Sequence, residues 1–118
     1  MTRKFISPTD LNVKLTTALN TNTPLHVFDV RKRPAFNAEP QLIPSATWQI
    51  HDRVNHWAKE IPANANVVVY CVHGHEVSQN TAQQLRDLGF KARYLQGGFD
   101  EWKTQGFELV KDKTKGAE

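Results

Sequence analysis

Cys71 is the only cysteine of the 118-residue chain, and it heads the run Cys71-Val72-His73-Gly74-His75-Glu76-Val77-Ser78. The five residues before it, Asn66-Val67-Val68-Val69-Tyr70, are short, apolar and β-branched. Such a segment predicts a central parallel strand covered on both faces. Ser78 to Leu88 then carries Thr81, Ala82, Leu85 and Leu88 at helical spacing, with Gly89 as the stop. Open parallel sheets bind ligands beyond the carboxyl ends of their strands. Loop amides and the positive end of a following helix dipole favour an anion at that spot. A cysteine held there can act as a thiolate. The same amides could hold a negative persulfide or the oxyanions of a thiosulfonate-like donor. Gly74 lets the loop take backbone angles closed to other residues. A lone cysteine can equally be a small buried hydrophobe. The polar turn His73-Gly74-His75 argues instead for a thiol at a strand tip.

The rest of the chain must position that strand. Ser7-Pro8-Thr9-Asp10 reads as a helix start, followed by Leu11, Leu15, Ala18 and Leu19 on one face. Leu25 to Asp29 is a short buried strand. Residues 31–45 hold three prolines and read as a long irregular connection. Ala46 to Ile50 is a short strand, and Val54, Trp57, Ala58 and Ile61 share a helical face that Pro62 ends. Ala92 to Leu95 is a further strand, Gly97-Gly98 a tight turn and Phe99 to Lys103 a short helix. Strands alternating with helices predict an α/β domain with a mostly parallel central sheet and helices on both sides. The expected domain covers 5–110, with 111–118 as a disordered tail.

Composition narrows the function classes. Lys and Arg number 15 against 12 Asp and Glu, and the excess lies at the two ends, leaving 10 of each sign between residues 5 and 110. A balanced body of this kind lacks the clustered basic face of a nucleic-acid binder. One cysteine excludes an internal disulfide. No stretch approaches the roughly 20 apolar residues of a membrane span, and the first ten residues lack the apolar run of a signal peptide. The expectation is a cytoplasmic chain with no membrane or nucleic-acid partner, where a free thiol persists.

Several separate segments resemble the rhodanese family, in the family's order, from about residue 5 to 110. His26-Val27-Phe28-Asp29-Val30-Arg31 is similar to its apolar strand ending in Asp-x-Arg. Leu42-Ile43-Pro44-Ser45-Ala46 resembles its His-Ile-Pro-Gly-Ala segment. Val67-Val68-Val69-Tyr70-Cys71 resembles the strand that delivers the active-site cysteine. Leu88-Gly89-Phe90, then Tyr94 through Gln96-Gly97-Gly98-Phe99-Asp100-Glu101-Trp102, resembles its closing Gly-Gly-x-x-x-Trp signature. The resemblance implies a single rhodanese-like domain acting as a thiosulfate-type sulfurtransferase. Cys71 would attack a sulfane sulfur, become a persulfide and pass the sulfur to an external thiol, a cyanide-like acceptor or an acceptor protein. Val72, His73, Gly74, His75, Glu76, Val77 and Ser78 would hold the substrate. Asp29 and Arg31 would brace the loop near the pocket, or form a purely structural ion pair. Gly97, Gly98 and Trp102 read as turn and core. No cofactor and no metal is implied. With no second thiol in the chain, the sulfur must leave to an outside acceptor.

The chain also departs from the family's pattern. Where relatives often carry Arg on the loop, this one has His73, His75 and Glu76. Protonated histidine could supply the missing positive charge, which predicts activity sensitive to pH between about 6 and 7.5. The loop reads as one residue longer than in typical sulfurtransferases, as in phosphatase and arsenate-reductase relatives. Those relatives need an Arg at the sixth position after the cysteine to grip the oxyanion, and here that position is Val77. Ala35 and Leu42 replace a glutamate and a histidine, and Glu39-Pro40 resembles an insertion. The alternative activity is therefore oxyanion handling on the same fold, as in arsenate or chromate resistance. A third reading, from a different class, takes Cys71, His73 and His75 as soft-metal ligands, although alternating spacing suits a closed tetrahedral site poorly.

Overall fold

The computed structural model describes residues 4–18 and 25–111. Its elements, in chain order, are β1 (Phe5–Ile6), α1 (Pro8–Ala18), β2 (Leu25–Asp29), α2 (Arg33–Ala38), β3 (Gln41–Leu42), β4 (Ala46–Trp48), α3 (Val54–Trp57), β5 (Asn66–Tyr70), α4 (Glu76–Asp87), β6 (Lys91–Leu95), α5 (Gly98–Thr104) and β7 (Val110–Lys111). A 3-10 turn, Ala58–Glu60, extends α3.

The central sheet runs β1-β6-β5-β2-β4, and all of its pairings are parallel. β5 lies in the middle. Its alternation divides the core: Val67 and Val69 pack with α3 and α4 residues Val54, Trp57, Ala82 and Leu85. Val68 and Tyr70 pack on the other face with Leu11 of α1 and with Phe99 and Trp102 of α5. Both faces being covered explains the unbroken apolar run of this strand. Each fully buried valine stabilises the fold by about 1.5–3 kcal/mol, so the middle strand is a firm base for whatever follows it. The expected α/β architecture, a mostly parallel sheet between two helical layers, is the one observed.

Local signals account for the helix ends. The Ser7 hydroxyl accepts from the Asp10 amide at 3.1 Å, capping α1 at its start. α4 ends with the Phe90 amide on the Leu85 carbonyl and the Gly89 amide on the Arg86 carbonyl, at 3.1 and 3.0 Å. Gly89 sits there at φ +99°. That is the Schellman pair for which glycine is suited.

Four expectations are corrected. Residues 31–45 are not irregular throughout: Pro34 lies in the first turn of α2, where its missing N–H costs nothing, and β3 follows. Leu88 is half exposed rather than inward, because the helix has already ended and only its backbone is used. Lys111 does not belong to a tail, since it pairs with Gln41 in the antiparallel β3–β7 ribbon. Finally, α4 begins at Glu76, two residues earlier than the side-chain pattern suggests. Leu19 and residues 112–118 lie outside the described residues. Among the described residues no helix is long and apolar enough to cross a membrane.

Candidate active site

The chain leaves β2 for β4 on one side and then returns to place β5 and β6 on the other side of β2. The strand order therefore reverses between β2 and β5, which is where open parallel sheets form a crevice at their carboxyl ends. Asp29 and Tyr70 are paired at those two ends. The segments leaving them, Arg31-Lys32 and Cys71 to Val77, line one cleft of about 300 Å3 together with Ala35 of α2. Topology alone thus brings the cysteine loop against the Asp-x-Arg segment.

Cys71 is 6 % exposed and lines this cleft. It is more enclosed than a thiol perched at a strand tip. Its sulfur donates to the Ser78 hydroxyl at 3.1 Å, reaching across the loop to a side chain that is fully buried. Because α4 starts at Glu76, the irregular loop is only Cys71 to His75, and Glu76, Val77 and Ser78 form its first helical turn. Among the described residues, the amides of 72–78 donate to no carbonyl or side chain. Loop and first-turn amides without protein acceptors can take an anion. Gly74 and Ser78 are buried, Val72 and Val77 half-buried, and His73, His75 and Glu76 exposed.

The loop is held from behind by α5. The Phe99 and Asp100 amides donate to the Cys71 and Val72 carbonyls at 2.8 and 2.9 Å. This clamp requires Gly98 at φ +63°, where a Cβ would stand 2.5 Å from the Cys71 carbonyl oxygen and 2.7 Å from the Gly74 nitrogen. Gly74, at φ +73°, is equally tight against the Leu95 carbonyl. Gly98, read from sequence as turn and core, is therefore a positioning residue for the cysteine loop. Two consecutive glycines after a strand were the signal available.

Asp29 and Arg31 are both buried and joined at 2.7 Å. The Arg31 guanidinium also donates to the Glu39 and Gln41 carbonyls at 3.1 and 2.8 Å. It lies 3.9 Å over the Phe99 ring. Among the described residues its side chain donates to no atom of the cysteine loop. Its hydrogen bonds brace the turn between α2 and β3, and its flat face supports the residue whose amide grips Cys71. Burial pushes the Asp29 carboxyl above the ordinary carboxylate range, with Arg31 pulling it back. Burial likewise holds the Tyr70 phenol well above its ordinary value, and its oxygen accepts from the Ile43 amide at 3.1 Å.

His73 reaches toward Asp100, with Nδ1 3.9 Å from the carboxylate, and both side chains are exposed. The His73 and His75 rings are 6.0 Å apart. Among the described residues no three His, Cys, Asp or Glu side chains are grouped so as to hold a metal ion.

The profile of the rhodanese-like domain family matches residues 12–105, most of the chain and the whole of this site. The chain belongs to the rhodanese-like domain family. Solved structures agree on the fold. A rhodanese-related protein from Thermoplasma volcanium is 20% identical with a TM-score of 0.74, the match covering 92% of this chain and 98% of that one. A rhodanese-like domain protein from Staphylococcus aureus is 24% identical with a TM-score of 0.73, over 93% and 100% of the two chains. A curated relative, tRNA 2-selenouridine synthase from Shewanella denitrificans, is 36% identical over 52 residues. That match takes in 44% of this chain and only 14% of the relative, so the present rhodanese-like domain spans a small part of that protein's length.

Proposed function

We propose that this rhodanese-like domain is a sulfurtransferase with Cys71 as its nucleophile. The Cys71 thiolate attacks the sulfane sulfur of a thiosulfate-like donor, and the donor's remaining sulfur leaves with the bonding electron pair. The persulfide so formed passes its outer sulfur to an external thiol, a cyanide-like nucleophile or an acceptor protein. Each step exchanges one sulfur bond for another, so no cofactor is called for. A reducing, cytoplasmic setting suits a lone thiol with this task.

One observation carries the reading: the chain's sole thiol lines a cleft at the switch point of the sheet, beside a run of amides without acceptors. A purely structural cysteine needs neither. The partial likeness to a relative named for selenouridine synthesis is in keeping with chemistry of sulfur and its heavier neighbour selenium.

Incubation with thiosulfate should add one sulfur to the peptide containing Cys71, read by mass spectrometry, and cyanide should remove it. Cys71→Ser should abolish both the mass gain and the thiosulfate-to-cyanide turnover. Full turnover by the serine variant would end this assignment.

A second reading, oxyanion handling in the manner of arsenate, chromate or phosphate-ester enzymes, draws on the same free amides. A solved relative in fold from Rhodopseudomonas palustris is described as a possible tyrosine phosphatase. Against it, Val77 stands where an oxyanion-gripping Arg would be needed, and Arg31 is already engaged by Asp29 and two carbonyls. Assays of arsenate and chromate reduction and of phosphate-ester hydrolysis, run beside the sulfur assay, decide between the two.

A further inference from the structure

The helix α4 begins without the side-chain cap that its first amides would ordinarily find. His75 stands at the N-cap position, and among the described residues its side chain accepts from none of them. The first backbone bond of the helix is the Gln79 amide on the His75 carbonyl at 3.0 Å. Were the helix to start one residue sooner, the Ser78 amide would take the Gly74 carbonyl. That carbonyl is occupied differently. The Gln79 side chain turns back along the helix, and its Nε2 donates to the Gly74 carbonyl at 3.0 Å. The start of α4 is thus tied to the loop through a carbonyl, and no amide is consumed. A Ser, Thr, Asp or Asn cap would have used one. Gln79 itself is exposed and lies outside the cleft lining.

We propose that Gln79 is a positioning residue for anion recognition by the cysteine loop, setting the Gly74–His75 peptide so that the His75 amide faces the cleft. That peptide is planar and trans, so its carbonyl and its N–H point in opposite directions. Gln79 holds the carbonyl outside the cleft, which turns the N–H the other way, and His75 is a cleft-lining residue. Gly74 sits at φ +73°, and a glycine puts little steric limit on rotation of the peptide that follows it. The tether supplies that limit. Gln79 acts through the loop backbone and not on the reacting atoms. The inference rests on the sulfur-transfer reading for its ligand, a thiosulfate-like dianion, and adds a residue outside the cleft to that recognition.

The test uses Gln79→Met in the full chain, which keeps the length of the side chain and a good helix former but removes the donor. Two reagents that alkylate Cys71 are compared, the anion iodoacetate and the neutral iodoacetamide. The iodoacetate-to-iodoacetamide rate ratio should fall about tenfold, as for one hydrogen bond to a charged group, with the iodoacetamide rate little changed. In sulfur loading, the half-saturating thiosulfate concentration should rise by about the same factor while the limiting rate holds, the mark of lost uniform binding. Gln83→Met is the control, one turn along α4 with its side chain bonded to Asp87 and Arg86, and should keep the parent ratio. A parent-like ratio in Gln79→Met overturns the proposal. So does an equal loss with both reagents, or an equal fall in the control, since either marks a merely structural role. The alkylation ratio needs no sulfur chemistry. A chain that takes no sulfur on Cys71, yet loses its iodoacetate preference in Gln79→Met, ends the sulfurtransferase reading and keeps Gln79 as the residue that sets the loop for an anion.

Discussion

The Cys71 sulfur lies 3.1 Å from the Ser78 hydroxyl, a contact that joins the start of the cysteine loop to the first turn of α4. With the thiol protonated, sulfur donates. Once it is ionised, the hydroxyl can turn and donate in return. A hydrogen bond to a charged group contributes about 1.5–3 kcal/mol, and this one would hold an attacking sulfur in place at the cleft. Ser78→Ala should slow alkylation of Cys71 by iodoacetamide at neutral pH by about tenfold or more. An alkylation rate equal to the parent's would show the contact to be packing only.

Gly98→Ala addresses the clamp behind the loop. The new methyl would collide with the Cys71 and Val72 carbonyls and the Gly74 nitrogen, all backbone atoms that cannot swing aside. The loop must shift or α5 must withdraw. Overpacking of this kind costs about 1–3 kcal/mol, which a well-packed domain can survive. In the proposed sulfur transfer, a displacement of the Cys71 sulfur by an ångström costs up to about a hundredfold in rate. Sulfur loading should therefore fall far more than thermal stability, as compared by mass spectrometry and circular dichroism.

Tyr70→Phe separates a structural hydroxyl from the chemistry one residue away. It strands the Ile43 amide, an orphaned buried donor that costs about 1–3 kcal/mol. In the parent, the phenol titrates higher in the folded chain than in the unfolded one. Its contribution is complete below the unfolded value near 10 and is lost as pH rises beyond it. The loss reaches about 1.4 kcal/mol per pH unit while only the unfolded form ionises. The variant has no such group, so the stability gap between the two proteins should narrow from pH 9 to pH 11. Urea denaturation at several pH values measures it, and a gap that stays constant would refute the linkage.

What could be read from sequence was what local pattern encodes. β5 declared itself because burial on both faces demands an unbroken apolar run, and α4 because Leu85 and Gly89 carry its Schellman end. Cys71 and its loop followed from those two. The strands β1, β3 and β7 were not legible, since two residues have no periodicity and exist only through their pairing partners. α2 was hidden by three prolines that suggested a loop, although Pro34 sits where a helix tolerates it. That Lys32, Ala35 and Glu76 line one cleft is a property of the strand order, not of any segment. The same holds for the clamp through Gly98, which joins residues nearly thirty positions apart.

Ser45 offers a test of the fold that leaves the thiol alone. Its φ is +75°, in the left-handed region, inside the turn closed by the Ala46 amide on the Ile43 carbonyl at 2.9 Å. Pro44 occupies the second turn position and Ser45 the third, the place where a positive φ calls for glycine. The resembling family segment has glycine there. An L-residue in this region costs about 1–2 kcal/mol. Glycine gives back about 0.5–1 kcal/mol through the freedom of its unfolded chain. Ser45→Gly should thus raise stability by about 0.5–1 kcal/mol, read as a higher urea midpoint with the slope unchanged. A lower midpoint would mean that the Ser45 side chain contributes more than its backbone strain removes.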